Sequence, residues 1–374
     1  MKAVSLFCGA GGMDVGFVKA GVSVLWANEI DADAANTYEK NNPNTVLRRG
    51  DIKAAKDELR DYGKGDIEIV FGGPPCQGFS VAGKMDPDDD RSKLIWEFID
   101  VVRILNPSVF VMENVKALGE LKKWQPIRER LVNNVHEMGY SCFFRVLNSA
   151  DFGVPQKRER VFFIGLSNAA SSVERLFNST ITSYMMPREG LRDCLMKLPS
   201  AGSPGNPITC SAKISVATNP VMRKSPYAGM LFNGMGRPLD LDNQSNTLPA
   251  SMGGNKTPIL DEKILRDKNA ENWIADYHEK LKCGDISLVD VIVPQHIRRI
   301  TLTEAAAIQT FPNDYEFVGE KSSIYRQIGN AVPCKLAEAV AKAVIEVHQK
   351  ANIENTSPEN WIIYGEQLSL IHSI

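Results

Sequence analysis

The sequence predicts a parallel α/β sheet carrying a smaller, loop-rich second domain. Three observations carry this reading. Short apolar runs alternate with helical patterns through the first half of the chain. Glycine, acid and cysteine positions follow those runs directly: the Gly9 loop, Glu29, Cys76 and Glu113. Between residues 187 and 260 the regular pattern gives way to a stretch holding nine of the chain's 20 prolines. That stretch has eight Lys or Arg against four Asp or Glu, so it reads as mildly basic and loop-rich.

Taken in order, residues 3–7 are a compact apolar strand, followed by Cys8-Gly9-Ala10-Gly11-Gly12. A helix starts near Gly12 and runs to Ala20, with Gly21 as its stop. Residues 22–27 are a strand that ends at Asn28-Glu29. Residues 33–40 read as helix, broken by Asn42-Pro43. A short run at 47–49 leads into Gly50-Asp51-Ile52. The run 67–71 is a buried strand, stopped by two glycines and two prolines. Residues 92–105 place Leu94, Ile95, Phe98, Ile99, Val102 and Leu105 at helical spacing. Residues 109–112 are a strand ending at Glu113-Asn114. Residues 126–138 are a helix closed by Gly139, and 140–147 and 161–166 are two further strands. After the Pro-rich stretch, 303–309 reads as helix, with Thr301 or Thr303 as N-cap and Glu304 in the first turn. Residues 333–348 are a helix with Pro333 at its start and Leu336, Val340, Val344 and Ile345 on one face. The stretch 351–374 carries Trp361, Ile362, Ile363 and Tyr364, apolar enough to pack back on the core or to end as a tail. The division expected is 1–186, 187–292, a return segment 293–350, and the tail 351–374.

Composition narrows the function classes. Hydrophobic content of 43% and charged content of 24% are those of a globular protein. The opening apolar run is too short for a signal peptide, and no run approaches transmembrane length. Seven cysteines without a CxxC pair point to reduced thiols in the cytoplasm, away from a disulfide framework or a zinc site. No metal is expected. A formal net charge of −2 excludes a global basic surface, so any nucleic-acid footprint has to be local.

In a parallel sheet, ligands bind outside the carboxyl ends of the strands, so the residues named above share one rim. Pro74 and Pro75 fix two φ angles ahead of Cys76. A positioned, ionised thiol is a nucleophile, whereas a small buried cysteine beside a tight turn is the bland alternative. Gly9-Ala10-Gly11-Gly12 lets backbone approach a ligand at a helix N-terminus. It has neither the Lys-Ser/Thr of a P-loop nor the G-x-G-x-x-G of a dinucleotide fold, and a structural turn would look the same. Glu29 can accept two hydrogen bonds from ribose hydroxyls, and Asp51 can accept from an adenine amino group. Singly each reads as a solvated loop acid; together they outline a nucleoside pocket. Glu113 ends an apolar strand, where desolvation raises a carboxyl pKa toward the range that suits proton donation near neutrality. A helix-capping acid is the alternative. Alternation in Gln156-Lys157-Arg158-Glu159-Arg160 projects two guanidinium groups to one side, able to bind phosphate or a base carbonyl, unless the run is a solvated face.

In content and order this set resembles the bacterial C5-cytosine DNA methyltransferases. Phe7-Cys8-Gly9-Ala10-Gly11-Gly12 is similar to the family's cofactor loop, Asn28-Glu29 to its ribose-binding acid, and Gly50-Asp51-Ile52 to its adenine-side segment. Pro74-Pro75-Cys76-Gln77 resembles the nucleophile motif. Glu113-Asn114-Val115 resembles the family's Glu-Asn-Val, and the run from Gln156 to Arg160 its Gln-x-Arg-x-Arg. Arg298 through Gln309 resembles the motif after the recognition domain, and Gln327-Ile328-Gly329-Asn330-Ala331-Val332 the closing motif. The match covers residues 4–345.

The resemblance implies a Rossmann-like sheet for S-adenosylmethionine-dependent methyl transfer, with 187–292 as target recognition domain. It implies S-adenosylmethionine as cofactor and S-adenosylhomocysteine as product. Besides the cofactor loop, Glu29, Asp51 and Ile52, it assigns to that pocket Ile30, Pro75, Leu94, Asn330 and Val332. Cys76 would add to C6 of a flipped-out cytosine, Glu113 would hold and protonate N3, and Arg160 would bind O2 with Arg158 in support. Double-stranded DNA is the implied partner, met by Gln77 and Ser80, by Arg223, Lys224, Arg237 and Lys256, and by the Thr247-Leu248 element. A monomer at work in the cytoplasm, on the nucleoid, is expected, with a cognate restriction endonuclease encoded elsewhere. The rivals are a cytosine methyltransferase acting on RNA, a silent DNA-binding protein on the same scaffold, and a nucleotide-dependent thiol oxidoreductase. The long insert, the joint presence of Cys76, Glu113 and Arg160, and the missing glycine spacing argue against them in turn.

Overall fold

A computed structural model describes residues 1–75, 93–167, 169, 172–288 and 291–356, with side chains as far as residue 351. Seven strands build one sheet: β1 (Lys2–Leu6), β2 (Ser23–Glu29), β3 (Val46–Arg49), β4 (Ile69–Gly72), β5 (Val109–Val115), β6 (Tyr140–Asn148) and β8 (Glu159–Ser167). The short β7 (Gln156–Lys157) stays outside it. The order is β3-β2-β1-β4-β5-β8-β6. The first five pair in parallel, as a chain of strand–helix–strand crossovers must. The helices Gly12–Lys19, Ala32–Asn41 and Leu94–Leu105 make those crossovers. The strand order reverses between β1 and β4, which opens a crevice at their carboxyl ends.

β8 departs from the expected parallel sheet: it runs antiparallel to both β5 and β6. An apolar run has the same composition in either direction, so the residues alone do not reveal this. The antiparallel ladder also lengthens β5. Glu113 and Asn114 pair with Phe162 and Val161 and lie inside the strand rather than after it.

The inner strands β1, β2, β4, β5 and β8 are largely buried on both faces, which is why they read as apolar runs, whereas the edge strands β3 and β6 are partly exposed. Ala3, Phe71, Val109 and Val111 face one core, with Phe17 stacked on Phe71 at 4.0 Å between ring centroids. Val4, Leu6, Val70, Phe110 and Met112 face the other, under Phe98, Ile99 and Leu131. Each such fully buried side chain stabilises the fold by about 1.5–3 kcal/mol. The return helix Cys334–Thr356 lays Leu336, Val340 and Val344 on the first core, and runs eight residues beyond the expected end at 348. The helix Leu302–Ile308 begins with a capping box in which Thr301 and Glu304 bond each other's backbone N–H. The apolar group at 361–364 lies outside the described residues.

The strands of the Pro-rich insert do not join the main sheet. β9 (Val216–Val221) pairs with β10 (Met230–Phe232), β11 (Ser245–Asn246) with β7, and β12 (Ile259–Asp261) with β13 (Ile297–Arg299). Its core combines Leu191, Leu248 and Leu260 with Ile300, Ile308, Tyr325 and Ile328 of the return segment. The insert also holds a regular helix, Trp273–Cys283, started by the Asn272 side chain on Ala275 N–H. Among the described residues no helix is long and apolar enough to cross a membrane.

Candidate active site

The loop after β1 is built for close approach. Phe7, Gly9 and Gly11 take φ of 54°, 55° and 84°. A Cβ on Gly12 would lie 2.7 Å from Val332 O and 2.9 Å from Ala331 Cβ, so the closing motif rests directly on the loop. Tyr315 Oη donates to Ala10 O at 2.5 Å and closes the same loop from the return segment. Behind it Asp14 is fully buried and accepts from Tyr38 Oη at 2.8 Å; burial pushes its carboxyl up to about 6. Neither Tyr315 nor Asp14 was anticipated as part of the site.

Glu29 ends β2 and is 9% exposed. Its Oε2 accepts from Gly9 N–H at 2.7 Å, and its Oε1 accepts from Ile30 and Asp31 N–H at 2.9 and 2.7 Å. Burial raises its pKa, opposed by those backbone donors. Its first function is thus to tie the glycine loop to β2, and Oε2 keeps a second acceptor lobe. Beside it Ile30 is 69% exposed, an apolar side chain left open on the rim. Asn28 Nδ2 donates to Arg48 O and Gly50 O, which holds the third loop at the same level. There Asp51 is exposed and caps the next helix through Lys53 N–H. Ile52 begins that helix with its side chain buried in the core, so any contact with a ligand falls to its backbone. Leu94 and Pro75 are half-buried, Asn330 is exposed, and Val332 packs into the core with its carbonyl toward the loop.

Beyond β4, Asn114 Nδ2 donates to Pro74 O at 3.1 Å and braces the turn that precedes Cys76. Glu113 Oε1 pairs with Arg160 Nε at 2.8 Å across the β5–β8 ladder. Burial raises the Glu113 pKa, and the Arg160 and Arg158 guanidinium groups oppose the rise. A Cβ on Gly73 would come within 2.8 Å of Glu113 Oε2, so this glycine leaves that oxygen open toward the Pro-Pro turn. Arg160 Nη1 is steadied by Glu159 O at 2.8 Å. Arg158, whose charge also acts on Glu113, is buried and donates to Leu248 O at 3.3 Å and Asn330 O at 3.2 Å, so it also clasps the insert to the closing motif. Cys76, Gln77 and Ser80 lie outside the described residues. Burial pushes the thiols of Cys142 and Cys194 up to about 12 and raises those of Cys8 and Cys334, which makes all four poor nucleophiles at neutral pH.

On the insert, Arg223, Lys224, Arg237 and Lys256 are exposed, and none forms an ion pair among the described residues. Thr247 is exposed and donates to Lys157 O at 3.0 Å. Leu248, expected to meet DNA, is instead 1% exposed in the insert's core. A Thr-hydrophobe pair at a strand end sends its two side chains to opposite faces, and here the apolar one goes inward. Gln156 and Gln309, both fully buried, link these parts through their side-chain amides. Both lie in motifs the sequence marks, but their pairing does not show there, since the two residues are 153 positions apart.

The model of the C-5 cytosine-specific DNA methylases matches residues 1–346. Type II methyltransferase M1.HphI of Haemophilus parahaemolyticus is 32% identical over 353 residues, 92% of this chain and 87% of that protein. Type II methyltransferase M.DdeI of Desulfomicrobium norvegicum is 28% identical over 398 residues, 96% and 91% of the two chains. A crystal structure of a candidate DNA modification methyltransferase encoded within an Escherichia coli prophage shares the fold, with a TM-score of 0.64 at 24% identity over 93% of this chain and 99% of that one. The chain belongs to the C-5 cytosine-specific DNA methylases and is an S-adenosylmethionine-dependent DNA methyltransferase.

Proposed function

We propose that this enzyme methylates C5 of a cytosine turned out of duplex DNA, with Cys76 as the nucleophile, Glu113 as the N3 partner and Arg160 as the O2 partner. The observation that supports this most is the buried Glu113–Arg160 pair at 2.8 Å beside the Pro74-Pro75 turn. It sets a carboxyl group and a guanidinium side by side, the two groups needed at N3 and at the O2 carbonyl of one cytosine. Cytosine C5 is too weak a nucleophile to be methylated unaided. When the Cys76 thiolate adds to C6, a C–S bond forms and the C5–C6 electron pair becomes available at C5. Glu113 Oε2 delivers or holds the proton at N3, so charge does not build on the ring, while Arg160 neutralises O2. Once C5 carries the methyl group, loss of its proton and expulsion of the thiolate restore the ring. The base has to leave the stack first, because C6 is inaccessible within the duplex.

The rim residues fit S-adenosylmethionine, which supplies an electrophilic methyl group when bound. The glycine loop admits close backbone contact, Glu29 Oε2 retains a lobe for a ribose hydroxyl, and exposed Ile30 offers an apolar face for the adenine. Residues 187–292 serve as the target recognition lobe, whose exposed Arg223, Lys224, Arg237 and Lys256 bind phosphates. The relatives are named type II methyltransferases, which supports the reading that a cognate endonuclease is this enzyme's companion and that it works on DNA in the cytoplasm, at the nucleoid. Incubation with tritiated S-adenosylmethionine and either duplex DNA or RNA tests the reading. Label is expected in DNA, at cytosine C5; label confined to RNA, or absent from both, would overturn it.

A further inference from the structure

The catalytic motif and the recognition lobe meet at a very short pairing. Only Ser245↔Gln156 and Asn246↔Lys157 are in register between β11 and β7. A two-residue ladder specifies its register weakly. Side chains supply what the ladder lacks. Leu248 N–H donates to Gln156 Oε1 at 2.9 Å, Arg158 Nη1 donates to Leu248 O at 3.3 Å, and Thr247 Oγ1 donates to Lys157 O at 3.0 Å. Gln156 Nε2 donates to Gln309 Oε1 at 2.9 Å, and Gln309 Nε2 donates to Ile328 O at 2.6 Å and Ala331 O at 3.1 Å.

The polarity of this relay is forced at both ends. It begins on a backbone N–H, which can only donate, and ends on backbone carbonyls, which can only accept. Each amide therefore has one allowed orientation, and turning either over would set buried acceptors against acceptors. Such a relay tolerates only one placement of Leu248. Arg160 stands four residues beyond Gln156 in the same run, so whatever fixes segment 245–248 against Gln156 also fixes it against the Glu113–Arg160 pair.

We propose that Gln156 and Gln309 are positioning residues that hold segment 245–248 in register with the base-holding pair and so decide which base step is read beside the target cytosine. This rests on the reading of 187–292 as the DNA recognition lobe. Asn246 and Lys157 line a polar hollow of about 210 Å³ with Asp240 and Asn243, donors and acceptors of the kind that read base edges. A slip of one residue moves a strand by about 3.3 Å. That is close to the rise of one base pair, roughly 3.4 Å. A register error at β7–β11 is therefore a reading error of one step.

Bisulfite sequencing of a plasmid modified by purified wild type, Gln156→Leu, Gln309→Leu and Thr247→Val tests this. Wild type is expected to modify one sequence context. The leucine variants are expected to raise modification of near-cognate relative to cognate sites by about fivefold, the low end of what one misread base pair is worth. Thr247→Val removes one register bond from an exposed side chain and is expected to shift the ratio the same way by less. Leu131→Ala, a core change away from the relay, is expected to lower total modification at an unchanged ratio. Folded leucine variants with the wild-type ratio would overturn the proposal. If neither leucine variant folds, Thr247→Val decides, and an unchanged ratio there overturns it. A wild-type enzyme that leaves cytosine unmodified would instead sink the underlying reading of the function.

Discussion

Glu113→Gln is expected to lower kcat by about 10²–10⁴-fold, the usual contribution of a positioned acid or base. Glutamine keeps the volume, and its Oε1 can still accept from Arg160 Nε, but it has no proton to give to N3. Cofactor affinity should be unchanged, because Glu113 lies on β5 and the cofactor loop follows β1. The pH profile separates this from a loss of packing. Burial raises the Glu113 pKa, so the protonated acid persists to higher pH than for a free carboxyl and is lost as pH rises through that folded value. Wild-type kcat should fall along this alkaline limb, and the limb should be missing from the variant. A Glu113→Gln enzyme of near wild-type kcat, or one that keeps the limb, would remove Glu113 from the chemistry.

The second large effect is on the cofactor. Glu29→Ala is expected to weaken S-adenosylmethionine binding by roughly 1.5–3 kcal/mol for each hydrogen bond lost to the charged acceptor. The structure adds a second source of loss. Gly9, Ile30 and Asp31 N–H, all only partly buried, would each lose the carboxylate, at a cost toward the lower end, about 1 kcal/mol each. The glycine loop should therefore loosen as well, and the Tm should fall together with the affinity. DNA affinity without cofactor should barely change. Titration calorimetry that returned wild-type cofactor affinity would take Glu29 out of the pocket.

Much of this site was legible from residues because the chemistry sits at strand ends. An apolar run stopped by Gly9, Glu29 or Pro74 announces both the strand and the rim position. The parallel half of the sheet followed from the same alternation. What stayed hidden depends on distant contacts or on direction. The reversal of β8 placed Glu113 within a strand, opposite Phe162 and within reach of the Arg160 side chain, and an apolar run has no direction to read. Tyr315 reaches Ala10 across 305 residues. Leu248 looked available beside polar neighbours, but local sequence does not say which face of a short element turns inward. Arg158 lies between β7 and β8, where its charge acts on Glu113 while its N–H groups also donate to the carbonyls of Leu248 and Asn330, partners too distant in sequence to be read locally.

The claim that Cys76 bonds to C6 of the target base is tested most directly by DNA that carries 5-fluorocytosine at the methylated position. In the proposed cycle the enzyme and base separate when the C5 hydrogen leaves as a proton and the thiolate is expelled. Fluorine cannot leave that way, so the C–S bond should persist. With S-adenosylmethionine present, a protein–DNA complex that survives denaturing electrophoresis is expected. Cys76→Ser should bind DNA without forming it, since a hydroxyl is far less ionised than a thiol of pKa about 8.5. Substitution of Cys142 or Cys194, whose thiols burial pushes up to about 12, should leave trapping intact. An active wild-type enzyme that never forms the adduct, or a Cys76→Ser variant that still does, would contradict the assignment.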